Sequence, residues 1–162
     1  MTELKKVKNL SFKILIVFLL FPFKSFPNYV LLNSNFFSNM LLELVESKYE
    51  KQKGLMGVDK LIDSNGMLFL YKQPKEIKMW MHNTKIPLDI IFIDKFNRVI
   101  SINYGKPLSK KIISSEEKAI AVLEIPYRCA KKLKINKGDK ISWVKIDKNK
   151  KKIIRYYHCL AK

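Results

Sequence analysis

The chain has 162 residues, 48% of them hydrophobic and 28% charged, with 6 Pro and 5 Gly. That is the make-up of one ordinary globular domain, and it excludes collagen-like and intrinsically disordered chains. Lys and Arg number 32 against 14 Asp and Glu, a net charge of +18 that invites a nucleic-acid partner. Lys outnumbers Arg by 29 to 3, however, and Asn and Ile are frequent, the mark of AT-rich coding sequence rather than of a base-reading surface.

The amino terminus points to a compartment. Lys5, Lys6, Lys8 and Lys13 precede the uncharged run Ile14–Phe23 (ILIVFLLFPF), and Lys24 follows it. A basic segment before a short apolar one reads as a secretory signal. The run is short for a membrane span of about 20 residues. Ser25 is the one small residue placed for cleavage, so an uncleaved anchor is the alternative for residues 1–25. No Cys follows the run, which argues against a lipoprotein. Export makes nucleic acid the least supported partner and allows Cys129 and Cys159 to form a disulfide. Two free thiols are equally compatible with the spacing.

Residues 26–39, rich in Asn and Ser, read as a linker. The domain proper is expected over 40–146. Met40–Val45 (MLLELV) is β-like. Ser47 and Glu50 have capping-box spacing, so the residues Lys48–Lys53 predict a short helix ending at Gly54. Strand-length apolar runs follow: Met67–Tyr71, Ile77–Met81, Leu88–Ile93, Val99–Tyr104, Ala119–Ile125 and Ile141–Ile146. Turn residues such as Asn65-Gly66, Lys95–Asn97 and Gly105-Lys-Pro107 separate them. Leu88–Ile93 (LDIIFI) is apolar on both faces and predicts an inner strand. A second short helix is expected over Arg128–Lys134. Residues 147–162 read as a basic hairpin or tail. The predicted fold class is mainly β (α+β), a compact β-sandwich or closed barrel with two short helices.

Standard catalytic and cofactor motifs are absent: no phosphate-binding loop, no dinucleotide fingerprint, no metal-type Cys/His spacing and no nucleophile elbow. No cofactor is expected. Asp89 and Glu124 each interrupt an apolar strand. A carboxylate so placed must be paired, hydrogen-bonded or shifted in pKa. It either binds backbone amides at a strand end or belongs to a site, in which case a hydrolase or lyase using both is one reading. The densest segment is Ile77–Thr84 (IKMWMHNT). On a strand, Met79, Met81 and Asn83 share one face, and Trp80 and His82 the other. Trp80 with Asn83, Thr84, Asp89 and Glu124 has the composition of a small-ligand pocket, an aromatic floor with a polar rim. Met79 and Met81 with His82 offer, alternatively, soft ligands to Cu(I). The plainer reading of Met and Trp is core filling.

A family resemblance rests on motifs in fixed order: Gly54-Leu-Met56, Gly66-Met67-Leu-Phe69, Trp80-Met81 with Asn83-Thr84, Pro87-Leu-Asp89 with Phe92-Ile-Asp94, Leu123-Glu124 and Gly138-Asp139. From about Met40 to Trp143 the chain resembles the bacterial and archaeal family called domain of unknown function 192. The resemblance implies a compact, mainly β fold with short helices, often behind a signal peptide. It implies no established activity and no established cofactor. It marks Gly54, Met56, Gly66, Met67, Trp80, Asn83, Thr84, Asp89 and Glu124 as signature residues. The chain departs from the family at Gly57-Val58, where an aromatic-Arg pair is usual, and at His82, where Lys is common. It departs again at Tyr127-Arg128, in place of a small residue and Gly.

The favoured reading is an exported, non-enzymatic binding module of the cell envelope for a small polar ligand or partner, with a structural or interaction protein as a further alternative. The charge divides unevenly. Residues 1–25 hold 5 Lys and 1 Glu, a net +4, and residues 128–162 hold 13 Lys/Arg and 2 Asp/Glu, a net +11. Lys148, Lys150, Lys151 and Lys152 therefore form a candidate contact with an anionic membrane surface, unless they are simply solvated. The stretch between is left at +3, from which no charge bias is expected at the candidate site.

Overall fold

In a computed structural model of the chain, the described residues are 28–62, 64–146 and 159. The proposed signal and all but Cys159 of the basic hairpin or tail expected over 147–162, with Lys148, Lys150, Lys151 and Lys152, lie outside them. Nine strands and two short helices run in the order β1 (Asn28–Asn33), β2 (Met40–Val45), α1 (Lys48–Lys53), β3 (Met67–Lys75), β4 (Lys78–Met79), β5 (Leu88–Ile93), β6 (Val99–Gly105), β7 (Ile113–Ser114), β8 (Ala119–Pro126), α2 (Cys129–Lys132) and β9 (Ser142–Ile146).

Seven strands form one mixed sheet in the order β6-β5-β8-β3-β2-β1-β9, and β4 pairs with β7 apart from it. The β2–β3 pair is parallel and the crossover between them carries α1; the other pairs of the large sheet are antiparallel. The mainly β class holds in its sandwich-like form and not as a closed barrel. The outer strands approach at one corner only, through the Arg98–Lys140 bridge and the bond from Ile141 N–H to the Asn97 carbonyl. Beyond it the two strands run apart, because antiparallel pairing sends them in opposite directions.

Residues 28–33, read above as linker, are instead β1, paired on both sides. The polar ends of the segment, Asn28 and Asn33, mask four buried residues between them. Met40–Val45, α1 and β5 match their expected bounds. Helix α1 buries no side chain, so its caps must hold it: Ser47 Oγ accepts from Glu50 N–H at 3.2 Å, and Glu50 Oε2 accepts from Ser47 N–H at 3.1 Å. The second helix is shorter than expected, four residues, beginning after Arg128.

Two cores cover the two faces of the large sheet. Alternation along β5 sends Ile91 and Ile93 into the first, with Leu32, Leu42, Leu68, Leu123 and α2. It sends Leu88, Ile90 and Phe92 into the second, with Phe69, Val122, Leu55, Met79 and Met81. All six residues of β5 are buried, which is why its sequence carries no alternation.

A disulfide joins Cys129 to Cys159 across 30 residues. The backbone N–H of Cys159 donates to Asn65 Oδ1 at 2.9 Å, and Lys132 Nζ donates to its carbonyl at 2.6 Å, so Cys159 is fastened beside the first core. Closing a loop of that length contributes about 3–4 kcal/mol in the chain-entropy model. Cys129→Ala with Cys159→Ala is expected to lower the unfolding free energy by about that amount, read as a reduced urea midpoint. Identical midpoints for wild type with and without reductant would contradict it.

Candidate functional site

On the second face, a cavity of about 700 Å³ opens between α1, the outer half of β3 and β4. Its volume falls within the range of small-molecule sites. Gly54, Leu55, Met56, Phe69, Met79 and Trp80 give it an apolar wall; Tyr71, Thr84 and Glu124 supply polar groups. The sheet register explains the convergence. Glu124 pairs with Met67, and residues two and four further along β3, Phe69 and Tyr71, project on the same side. Helix α1 rims the cavity because Gly54, at φ 45°, turns the chain downward so that Leu55 anchors in the core.

Glu124 lies 4% exposed at the base. No hydrogen bond or ion pair reaches its carboxyl among the described residues. Burial alone pushes its pKa up to about 8, from an ordinary value of 4.5. The carboxyl is therefore mainly protonated at neutral pH and in that form presents an O–H donor to the cavity. Burial, and then the Glu124 charge, hold the Tyr71 phenol above its usual range. Trp80 is 47% exposed, and its ring stacks on His82 at 5.0 Å and 27°.

Of the expected binding residues, the fold gathers Trp80, Thr84 and Glu124. Asn83 turns away: it sits at φ 56°, its carbonyl accepts from Gly57 N–H at 2.9 Å, and it lines a shallower hollow with Tyr49 and Lys85. Asp89 lies on the opposite face of the sheet. It alternates with Ile91 and Ile93 of the first core, whereas Glu124 alternates with Val122 of the second. Asp89 Oδ2 accepts from Ala130 N–H at 2.8 Å. Burial raises its pKa, opposed by the amides of Ala130 and Arg128. Asp89 is thus the cap that α2 lacks locally, since Arg128 makes no side-chain cap bond. The two carboxyls do not converge, and an acid–base pair made of them is not formed.

Met79 and Met81 are buried in the second core, where Met81 fills the space a side chain at position 105 would take, while His82 lies against Trp80. Among the described residues, no three His, Cys, Asp or Glu side chains cluster as metal ligands. The methionines are core residues, as their burial requires.

The expectation of no charge bias fails at this cavity. Lys48, Lys51, Lys53, Lys72, Lys75 and Lys78 line it, against Glu46 and Glu124. The near balance of the central segment averaged over charges that folding separates. The spacing of Lys72, Lys75 and Lys78 between Tyr71 and Trp80 was the available signal. Lys51 Nζ and Lys75 Nζ lie 4.4 and 4.8 Å from the Tyr71 ring centre. Desolvation first, and then Lys75, lower the Lys51 pKa.

The family model for domain of unknown function 192 (DUF192), described as an uncharacterized ACR, matches residues 31–143. The chain belongs to this family. No curated protein matches it significantly. Two solved structures are similar. One is a candidate transcription regulator from Sinorhizobium meliloti 1021, at TM-score 0.66 and 29% identity, covering 73% of this chain and 94% of that one. The other is a protein of unknown function from Novosphingobium aromaticivorans DSM 12444, at TM-score 0.65 and 34% identity, covering 76% and 90%.

The DUF192 signature residues of this chain divide by what they touch. Gly66 and Asp89 shape the backbone: Asp89 Oδ2, for example, accepts from Ala130 N–H. Gly54, Met56, Trp80, Thr84 and Glu124 surround the cavity. Arg128, standing where Gly is usual in DUF192, has φ 73°, a left-handed conformation that costs a non-Gly residue about 1–2 kcal/mol.

The pH dependence of Glu124 follows from its raised pKa. Folded chains hold the proton up to about pH 8, and unfolded chains lose it near 4.5. The neutral form's advantage is therefore full below the unfolded pKa and is lost as pH rises through the folded one. Tyr71, Lys51, Lys72, Lys75 and Lys78 face the same cavity and are common to both proteins compared. Glu124→Gln is expected to melt at least ~5 °C above wild type at about pH 9, with that gap closing toward about pH 4. A gap independent of pH would refute the buried neutral carboxyl.

Proposed function

We propose that this chain is an exported, non-enzymatic binding module of the cell envelope that holds a small polar ligand in the cavity over Trp80 and Glu124. One observation carries the reading: a buried carboxyl with no protein partner among the described residues faces an open cavity beside a half-exposed tryptophan. The carboxyl oxygens are open to the cavity and not sealed in the protein, so whatever completes their hydrogen bonding comes from the cavity, and a ligand with an acceptor oxygen is suited to that place. Trp80 supplies a flat apolar surface with little conformational entropy to lose. A purely structural role accounts for Gly66 and Asp89 but not for Glu124.

The carboxylate-dependent hydrolase or lyase loses its support, since glycosidase-type chemistry requires two carboxyls flanking one bond and Asp89 and Glu124 occupy opposite faces. Export is supported by the basic and apolar amino terminus and by the Cys129–Cys159 bridge, since such bonds persist in oxidising compartments. No helix among the described residues is long and apolar enough to cross a membrane.

Small sugars, amino sugars and sugar acids are suitable probes in ligand-observed NMR. At least one is expected to show saturation transfer from wild type and to lose it, by roughly 10-fold in affinity, with Trp80→Ala. Silence with the wild-type protein across the whole set, or equal signals with both proteins, would overturn the reading.

A further inference from the structure

The cavity carries more information than its volume. Six lysines line it, against two carboxyls. Of those two, Glu46 is engaged by Lys145, whose Nζ lies 2.9 Å from both of its carboxylate oxygens. Glu124 is the other, and burial keeps it neutral. Lys51 Nζ also donates to the Glu46 carbonyl at 2.6 Å, and Lys78 pairs with Glu76 at 3.7 Å, so the compensation is partial and the mouth stays positive. Lys51 and Lys75 meet over one face-bearing group, the Tyr71 ring, at 4.4 and 4.8 Å. The Lys75 charge acts against the Lys51 ammonium, and an anion bound near both relieves that repulsion. Below them Leu55, Phe69, Met79 and Trp80 form a wall suited to a flat or apolar body.

Resting on the binding reading above, we infer that the cavity selects a small organic anion, with its carboxylate or phosphate between Lys51 and Lys75, its ring against Trp80 and an acceptor oxygen at the Glu124 carboxyl. Each part of the ligand then meets the group chemically fitted to it. The anion is held by charge-assisted hydrogen bonds. The body displaces water from an apolar wall. The acceptor takes the O–H that no atom of the described residues takes. Ionising Glu124 removes that donor and adds a repelling charge, so affinity falls as pH rises through the Glu124 transition.

The test is a paired titration of the full chain by calorimetry at low salt and about pH 6.5, D-glucuronate against D-glucose and benzoate against benzyl alcohol. In at least one pair the acid is expected to bind ~10-fold or more tightly than its neutral counterpart. Lys51→Gln with Lys75→Gln should abolish the preference, while Lys110→Gln with Lys111→Gln, equal in charge but outside the cavity, should retain it. Between about pH 7 and pH 9 the acid's affinity should fall in wild type and hold in Glu124→Gln, whose amide still donates. Neutral probes that bind as tightly as the acids, and are lost with Trp80→Ala, would overturn the anion preference and leave the cavity a binding site. Equal losses in the two double-lysine variants would also overturn it, by showing a diffuse charge effect. Absence of binding by all four probes would overturn the preference, and the sugar set above decides the binding reading separately.

Discussion

Position 66 tolerates no side chain, and much of the molecule follows from that. A Cβ built there would lie 1.9 Å from the carbonyl oxygen of Glu124, and φ is 147°, a region nearly confined to glycine. The close approach brings the start of β3 against β8 and sets Met67 opposite Glu124. From this register the rest of the second face is determined, because side chains alternate along a strand. Phe69 and Tyr71 come to stand beside Glu124, while Leu68 and Leu70 go to the first core. A slip of β3 by one residue against β8 would turn Phe69 and Tyr71 to the first core, away from Glu124.

The same alternation gives the two buried carboxyls opposite tasks. Asp89 and Glu124 sit on neighbouring strands, one step out of phase, since Ile90 is the partner of Glu124. Asp89 meets two amides at the start of α2 and is spent on the fold. Among the described residues Glu124 meets none, and it faces the cavity. Burial raises the pKa of both, yet the hydrogen bonds separate them: amides favour the charged form of one, and nothing offsets desolvation of the other.

Around Glu124 the charge is arranged in layers. Lysines extend from α1, β3 and β4 around the mouth, their stems covering apolar surface, with Lys51 partly desolvated against the Glu46 carbonyl. The floor beneath is neutral. A cavity of this build has a positive mouth and a hydrogen-bond donor at its base, separated by an aromatic and thioether wall. That order of groups, more than any one residue, distinguishes it from the hollow beside Asn83.

The sequence alone determined the class of fold, the inner strand β5, helix α1 with its cap, and the membership of the DUF192 family. These are local matters: a run of apolar residues, a Ser and Glu three apart, a set of motifs in order. It also singled out Trp80, Thr84 and Glu124. It misplaced Asn83 and Asp89 as their partners, because adjacency in the chain and polarity do not reveal which face of a sheet a residue occupies. It passed over β1, whose short buried run is framed by Asn, and over the lysines of the cavity, whose charge cancels when summed along the chain and not when placed in space. Only tertiary structure decided these points, since pairing register and the crossover through α1 bring together side chains that no local signal connects.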